Sequence, residues 1–335
     1  MIADEIIQEL LKGLFVDSSL KTAYNITSVN SINVSRILAQ ISYYFASYFS
    51  LIRSGTFNPS TDRISFAVPT GNFGNILAGF FAKRMGLPIS TLIISTNEND
   101  IIHRFLQTGA YEKLPFLGAS AKEKNDHAGG VKETLSPAMD ILISSNFERL
   151  LWFIAYDVYS SPTDSTGNRR DIASLKVKEW QTALKSKGGF SVEQKVLDAA
   201  RAEFSSERVS DAETLATIRD VYQLPHADSS GSNHYVLDPH SAVSVTAALR
   251  SAEAAPCIHY VALSTAHPAK FSRAIEIALA EEKEFHFNDI LPPQLSGLDR
   301  LPRRVIRVQK SEGLNNIRKI IMDEVKKEMK ETPSY

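Results

Sequence analysis

The stretch from residue 64 to residue 96 constrains the fold more than any other part of the sequence. It reads ISFAVPTGNFGNILAGFFAKRMGLPISTLIIST, which is a β-rich run, a glycine-asparagine turn, an apolar helix and a second β-rich run. The helix is predicted at residues 75–86, where a glycine and then a proline end it. A strand, helix and strand within about 35 residues form a right-handed crossover with parallel strands. The sequence therefore predicts an α/β protein with a doubly wound, mostly parallel sheet.

Composition divides the chain into three regions. Stretches rich in Ser, Thr, Pro, Gly and Asn at residues 157–171 and 226–235 mark the predicted boundaries. Residues 1–160 contain the crossover, residues 161–230 are predicted to form a helical insertion or small domain, and residues 231–335 complete the α/β core and end in a solvent-facing helix. In such sheets, ligands bind where the carboxyl ends of the strands lead into helices.

Charge and hydropathy argue against several classes of protein. The net charge of −1 gives no electrostatic excess for nucleic acid or for an anionic membrane surface. The longest aromatic-apolar run, ISYYFASYFSLI, has about 12 residues and is too short to span a membrane, so it predicts part of a buried helix over residues 31–52. The acidic start of the sequence does not have the pattern expected of a signal peptide. The single cysteine, Cys257, suits a reducing compartment and is predicted to lie in the core. We therefore expect a cytoplasmic protein.

The turn PTGNFGN in the crossover is the first candidate site. Gly71 and Gly74 are expected to allow positive φ angles and a close approach of the backbone to a ligand. The helix after Asn75 offers unpaired N–H groups, which together with the turn favour an anion, most naturally a phosphate. The motif is neither a P-loop nor a dinucleotide fingerprint, because it lacks Gly-Lys-Ser/Thr and has Phe73 where the second motif needs glycine. The alternative is a plain strand-to-helix turn with Asn75 as its cap.

The loop ALSTAHPAKF at residues 262–271 is the second candidate. Ser264 or Thr265 would place a hydroxyl at the mouth of the sheet, although a helix cap explains them as well. His267 is the histidine expected nearest to this site, whereas DPH at residues 238–240 predicts a helix cap. No two of the eight histidines show zinc-ligand spacing on a helix, so we predict no metal site.

Taken together, the motifs resemble the threonine synthases of the fungal and bacterial type, which are pyridoxal 5′-phosphate (PLP) enzymes of the tryptophan-synthase-β fold, fold type II. The matching blocks, in family order, are NSINVSRILAQISYYF, VPTGNFGNILAGFFAKRMGLP, STNENDIIHRFL, TLSPAMDILISSNFERLLW, DPHSAV, LSTAHPAKF and LPRR. Cysteine synthases and threonine dehydratases share the glycine-asparagine loop but are not expected to contain TLSPAMD or STAHPAKF. The resemblance implies a lyase of threonine biosynthesis that converts O-phosphohomoserine and water into threonine and phosphate.

The resemblance also implies roles for individual residues. The cofactor phosphate would be held by the turn residues Gly71, Asn72, Phe73 and Asn75, with Gly74 shaping the turn. Thr265 would face the pyridine nitrogen, with Ser264 as a substitute. Ser31, Asn33 and Arg36 would lie near the phosphorylated amino-acid substrate.

One part of the family pattern is missing. The resemblance implies a Schiff-base lysine in a Phe-Lys-Asp motif upstream of NSIN, but the 29 residues before Asn30 contain no such motif, and neither Lys21 nor Lys270 has a matching context. We therefore expect no catalytic residue in this chain and an impaired activity. The chain would then be a fragment or one half of a split enzyme, completed by an N-terminal half or by a full-length homologue. The alternative is a non-catalytic protein that binds PLP or a phosphorylated metabolite; the loop spacing disfavours a nicotinamide-linked oxidoreductase.

Overall fold

The structure is a computed structural model. It describes residues 13–14, 17–24, 30–113, 130–161, 163–225, 234–303, 305–309 and 313–331. Two compact units divide the chain: Val29–Pro292 forms one, and Met1–Ser28 with Pro293–Tyr335 forms the other. The predicted three-part division stays a prediction, and most of its boundary at 226–235 falls outside the described residues.

The larger unit is built on a parallel sheet. The strands in the described part of the chain are β1 (Arg63–Pro69), β2 (Ile89–Thr96), β3 (Ala110–Glu112), β4 (Gly189–Ser191), β5 (Phe204–Arg208) and β6 (Ile258–Ala262). Four of them form the main sheet in the order β5-β2-β1-β6, and all three pairings are parallel. Strands β3 and β4 form a separate antiparallel pair.

Helices account for most of the remaining described residues. Those with described bounds are α1 (Ser18–Tyr24), α2 (Val34–Ser54), α3 (Gly74–Arg84), α4 (Ile101–Thr108), α5 (Phe147–Val158), α6 (Thr166–Lys187), α7 (Gln194–Glu203), α8 (Asp211–Gln223), α9 (Pro239–Ala254), α10 (Ser272–Ala278) and α11 (Gly313–Glu331). Short 3-10 turns with described bounds lie at Pro137–Met139, Pro268–Lys270, Phe287–Ile290 and Leu298–Arg300. The helix predicted at residues 75–86 is α3, which starts one residue earlier and ends two residues earlier, and β1 and β2 flank it as the sequence predicts.

Both faces of strand β1 are covered, as its apolar sequence predicts. Phe66 and Val68 belong to the main core cluster with residues of α2, α3 and α5. Ala67 points to the opposite face and packs with Ala247 of α9. Because successive side chains of a strand alternate between faces, one strand reaches two helical layers. At one edge of the sheet, the residues of β6 are only partly buried.

Local signals explain where helices α2 and α8 begin and where α2 ends. Helix α2 starts after Asn33, whose side chain accepts a hydrogen bond from the Ser35 backbone N–H, and it stops at Gly55 with φ of 73°. Helix α8 starts with a capping box formed by Ser210 and Glu213.

Two expectations need correction or extension. Cys257 is exposed and not in the core, because it lies in the turn before β6. The segment predicted to be a helical insertion does contain α6, α7 and α8, but it also contributes β4 and β5, and β5 is an edge strand of the main sheet.

The smaller unit contains α1 and α11. Arg318 on α11 forms an ion pair with Asp17, with Nη1 3.1 Å from Oδ2, and donates a hydrogen bond to the Ser19 hydroxyl. None of the described helices is both long and apolar enough to cross a membrane.

Candidate functional site

A cavity of about 820 Å³ opens at the carboxyl ends of β1 and β6. Eight of the nine predicted site residues line it: Ser31, Arg36, Gly71, Asn72, Phe73, Gly74, Asn75 and Thr265. The ninth, Asn33, is not among the lining residues. Its Oδ1 accepts the Ser35 backbone N–H at 2.9 Å as the cap of α2. The fold therefore brings the two predicted loops and the NSIN turn to one place.

The turn after β1 leaves its backbone donors unpaired. Within the described part of the chain, no acceptor is paired with the N–H groups of residues 71–76, and the first hydrogen bond of α3 is donated by Leu77 to the Phe73 carbonyl. These N–H groups lie at the start of an 11-residue helix, where the helix dipole adds positive potential. Successive free backbone N–H groups of this kind form a binding site for an anion.

The shape of this turn differs from the prediction in one respect. Neither Gly71 nor Gly74 has a positive φ; that conformation belongs to Phe73, with φ of 62°. Packing holds this unfavourable conformation, since the Phe73 ring is 2 % exposed and meets the Phe147 ring edge-on at 5.3 Å. Gly71 is needed for a close approach to another part of the chain, because a Cβ there would lie 2.9 Å from the Met139 Cα. The predicted close approach to a ligand stays a prediction.

Asn146 joins this turn to the NSIN turn. It is fully buried, and its Nδ2 donates to the Asn72 carbonyl at 2.8 Å and to the Ser31 carbonyl at 2.9 Å. Arg149 extends the link by donating to Asn146 Oδ1 at 2.7 Å and to the Ile32 carbonyl at 2.8 Å. Two turns that are distant in sequence are thus held as one rigid wall.

Asn75 does not cap α3, in contrast to the alternative considered from the sequence. Phe73 occupies the cap position, and it makes no side-chain capping bond. The Asn75 Oδ1 accepts a hydrogen bond from the Tyr43 hydroxyl at 2.5 Å instead. The Tyr44 hydroxyl donates to the Asn75 carbonyl at 2.9 Å.

The opposite wall is organised by Asp238. As predicted, Asp238 caps α9, and it also accepts hydrogen bonds from the Ser241 hydroxyl and from His240 Nδ1. Burial opposes the ionisation of Asp238, but these hydrogen bonds outweigh it and hold the pKa of the carboxyl below its usual value. The Ser241 Oγ in turn accepts the Thr265 backbone N–H at 3.2 Å and lies 3.1 Å from the Ser264 Oγ.

The two hydroxyls on this wall are therefore not equivalent. Ser264 pairs with Ser241, whereas the Thr265 hydroxyl has no partner within the described parts of the chain. Thr265 is exposed at the cavity and is available to a ligand.

Some cavity residues escaped the sequence analysis. His240 lines the cavity, and its Nε2 accepts the Ala138 backbone N–H at 3.1 Å. His267, the histidine expected there, is not among the lining residues and accepts a hydrogen bond from Ala269. On helix α2, Gln40, Tyr43 and Ser47 also line the cavity and continue from the predicted Arg36 with helical spacing, so the four residues form one stripe. Polar residues at this spacing indicate a polar face on the helix, but the sequence analysis interpreted the apolar run only as a buried helix.

Charged and metal-binding groups in the cavity wall are few. Among the described residues that line it, none is a lysine. Among the described residues of the whole chain, no group of three or more His, Cys, Asp or Glu side chains could hold a metal ion.

Sequence comparison relates the chain to one family. Residues 241–321 match the family described as "Threonine synthase, C-terminal". A threonine synthase of Eremothecium gossypii is 44 % identical over 320 residues, which cover 95 % of this chain and 57 % of that protein. The threonine synthase of Schizosaccharomyces pombe is 45 % identical over 294 residues, covering 87 % of this chain and 53 % of its relative. The chain spans about half the length of the curated relatives that it matches.

Solved structures agree with this relation. A crystal structure of threonine synthase from yeast superposes with a TM-score of 0.75 at 41 % identity and covers 96 % of this chain, which corresponds to 57 % of that chain. PLP-bound threonine synthase from Brucella melitensis gives a TM-score of 0.66 at 40 % identity, covering 89 % of this chain and 53 % of that one. The resemblance seen in the motifs and the expected fold class are both confirmed.

Proposed function

The chain is a relative of the threonine synthases, and from that premise we propose that its cavity binds PLP and O-phosphohomoserine for the synthesis of threonine. The proposed reaction converts O-phosphohomoserine and water into threonine and phosphate. In this reaction PLP supplies an electron sink for the carbanionic charge that develops on the substrate. The residues of this chain supply binding and orientation.

The free backbone N–H groups of residues 71–76 are the observation that carries the proposal. A phosphate ester offers only acceptor oxygens, so it fits a turn that offers only donors. The fit is supported by Gly71, where a side chain would collide with the backbone of Met139 and displace the turn. We propose that Gly71, Asn72, Phe73, Gly74 and Asn75 form the cofactor phosphate site.

Thr265 is proposed to face the pyridine nitrogen of PLP. Its hydroxyl lacks a partner within the described residues, and its backbone is held by Ser241. A hydroxyl can donate to a pyridine nitrogen but, unlike a carboxylate, does not stabilise a proton on it. This arrangement favours a neutral ring nitrogen.

The substrate end is proposed to lie at Ser31 and Arg36. Both line the cavity, and an arginine is suited to a phosphate group because its guanidinium can donate two parallel hydrogen bonds. Asn33 is proposed to contribute through the start of α2, since its side chain is engaged as the cap.

We further propose that this chain alone binds the cofactor without completing the reaction. No Phe-Lys-Asp motif occurs in its sequence, and the described cavity wall contains no lysine. Activity would then need such a lysine from residues outside this sequence, which an N-terminal half, joined or separate, or a full-length homologue would bring. The same observation supports a second candidate function, a non-catalytic protein that binds PLP or another phosphorylated metabolite. A cytoplasmic location is proposed with either function, and fractionation of the cell checks it.

A binding and turnover experiment on the purified chain tests the proposal. We expect PLP and pyridoxine 5′-phosphate to bind in isothermal titration calorimetry and unphosphorylated pyridoxine to bind far more weakly. Released phosphate from O-phosphohomoserine is expected only after addition of a partner with the lysine motif. Absence of binding would refute the proposed cofactor site. Turnover by the chain alone would refute the need for a partner, and borohydride reduction followed by peptide mass spectrometry would then identify the lysine involved. If no partner restores turnover although PLP binds, the non-catalytic function is favoured.

A further inference from the structure

We propose that Tyr43 and Tyr44 are positioning residues that orient the Asn75 side-chain amide so that its Nδ2 hydrogens serve the phosphate ester. The inference rests on the proposed function, in which the turn at residues 71–75 holds the phosphate of PLP. It adds two residues of α2 to a site that sequence analysis assigned to the turn alone.

The hydrogen bonds of Asn75 are the basis of this inference. The Tyr43 Oη lies 2.5 Å from the Asn75 Oδ1, and the Tyr44 Oη lies 3.1 Å from the same oxygen and 2.9 Å from the Asn75 main-chain oxygen. The acceptor end of the amide is therefore engaged by α2. Its Nδ2 has no partner among the described residues, and the side chain lines the cavity.

Packing holds the two tyrosines in place. Tyr44 is fully buried and lies against Gly79 of α3, where a Cβ would come within 2.7 Å of the tyrosine ring. Tyr43 is half-buried, lines the cavity and stacks on Tyr44 with ring centroids 5.2 Å apart. Gly79 thus provides the room that allows the Tyr44 hydroxyl to reach the first turn of α3.

The sign of the interaction follows from the chemistry of the ligand. A phosphate ester accepts hydrogen bonds, so it is attracted by the Nδ2 end of an amide and repelled by the Oδ1 end. Burial raises the pKa of Tyr43, with the Arg36 charge opposing it only in part, and burial also raises the pKa of Tyr44. Both side chains therefore remain phenols that can donate to Asn75 throughout the neutral pH range.

Tyrosine-to-phenylalanine variants measure the effect, with pyridoxine 5′-phosphate as the probe because it lacks the aldehyde that reacts with amines. We expect Tyr43→Phe and Tyr44→Phe each to raise the Kd by about three- to tenfold, the usual net effect of one hydrogen bond. Tyr48→Phe is the matched control. Tyr48 lies on the same helix, is 8 % exposed, and its hydroxyl makes no hydrogen bond within the described residues, so we expect no change in Kd.

A double-mutant cycle separates positioning from general support of the fold. In the Asn75→Ala background, Tyr43→Phe should have no further effect on the Kd, because the group that it orients is gone. Asn75→Asp keeps an acceptor for both tyrosines but replaces the Nδ2 donor by a charged oxygen. We expect that change to weaken binding of the ester by about 100-fold or more.

Unphosphorylated pyridoxine provides the second readout, and its weak binding should be the same in all these variants. The inference is overturned if Tyr43→Phe costs as much in the Asn75→Ala background as in the wild type, or if it weakens pyridoxine equally. If the wild type binds no ester at all, the proposed cofactor site fails and this inference fails with it. If the wild type binds the ester and the tyrosine variants bind it with the same Kd, only this inference is refuted and the proposed cofactor site stands.

Discussion

Two segments follow neighbouring strands of the same sheet, and they differ in whether their polar groups are hydrogen-bonded within the chain. The segment after β2 begins at Asn97, which is 2 % exposed and donates from Nδ2 to Thr134 and Asp140, each at 2.8 Å. Asp140 also accepts from the side chain of Asn99 and from the side chain and backbone of Thr134. The turn after β1, by contrast, leaves the N–H groups of residues 71–76 without partners in the described structure.

The difference shows that, of two segments at corresponding positions in a sheet, one can stabilise the fold while the other keeps its polar groups available for binding. A buried polar group that is fully paired stabilises its own loop, but it has no hydrogen bond left to make with a ligand. The hydrogen-bonded groups around Asp140, in which the polar side chains are paired, also flank the Pro137–Met139 turn, against which Gly71 packs. We call this the saturated loop. One loop is therefore the support and the other is the candidate receptor.

The largest expected effect comes from breaking the saturated loop. Asp140→Ala would remove the carboxylate that accepts from the side chains of Asn97, Asn99 and Thr134 and from the Thr134 backbone N–H. We expect the free energy of unfolding to fall by about 3 kcal/mol or more, measured by urea denaturation. Asp157→Ala, which removes an exposed ion pair with Arg84, is the control and should cost less than about 1 kcal/mol. Equal effects of the two changes would contradict the contrast between the loops.

A change in the unsaturated turn should act on both stability and binding. Gly71→Ala places a Cβ 2.9 Å from the Met139 Cα, so the backbone of one of the two segments must shift. We expect a loss of about 2 kcal/mol in unfolding free energy and loss of measurable binding of pyridoxine 5′-phosphate. In Gly167→Ala, the added Cβ meets nothing closer than 3.9 Å in the first turn of α6, so that variant should be neutral or slightly stabilising. Retained ester binding in Gly71→Ala would show that the turn is not the phosphate site.

A third prediction extends the comparison to the loop after β6, which depends on the ionised form of Asp238. The pKa of Asp238 is lowered in the folded state, so its contribution to stability is complete above the ordinary value of 3.8 and is lost as the pH falls below it. We expect the wild type to exceed Asp238→Asn by about 1.5 kcal/mol at neutral pH, with the gap closing only in that acidic range. Urea denaturation of both proteins from pH 7 to pH 3 checks this. A gap that closes well above pH 5 would contradict the role of the ionised carboxylate.

The smallest effect on stability is expected at Thr265. Its hydroxyl has no partner among the described residues, so Thr265→Val should change the free energy of unfolding by less than about 0.5 kcal/mol. The same change should weaken PLP binding by about tenfold if the hydroxyl meets the pyridine nitrogen. Ser264→Ala is the matched control, because that hydroxyl is already paired with Ser241. An effect confined to Ser264→Ala would exchange the proposed roles of the two residues.

Local pattern was sufficient for the elements around the site. The β1–α3–β2 crossover, the capping box at Ser210 and the cap at Asp238 were all predictable, because each depends on residues a few positions apart. The positive φ of Phe73 was not predictable in the same way. Backbone preference alone assigns that conformation to the neighbouring glycines, and only the packing of the phenyl ring against Phe147 explains why Phe73 adopts it.

Contacts between distant residues account for the other differences. Tyr43 meets Asn75 across 32 positions, and His240 meets Ala138 across 102. Such pairs produce no periodic pattern in the sequence, so they can be identified only from the packed structure.

The amino-acid order was enough to predict a parallel α/β core with a strand-to-helix bend at the end of a buried strand, because hydrophobic periodicity and turn chemistry act over short distances. Tertiary packing decided which polar groups near that bend are satisfied and which stay open. A hydrogen bond is made or left unmade according to what the folded chain brings within about 3 Å, and no local rule contains that information.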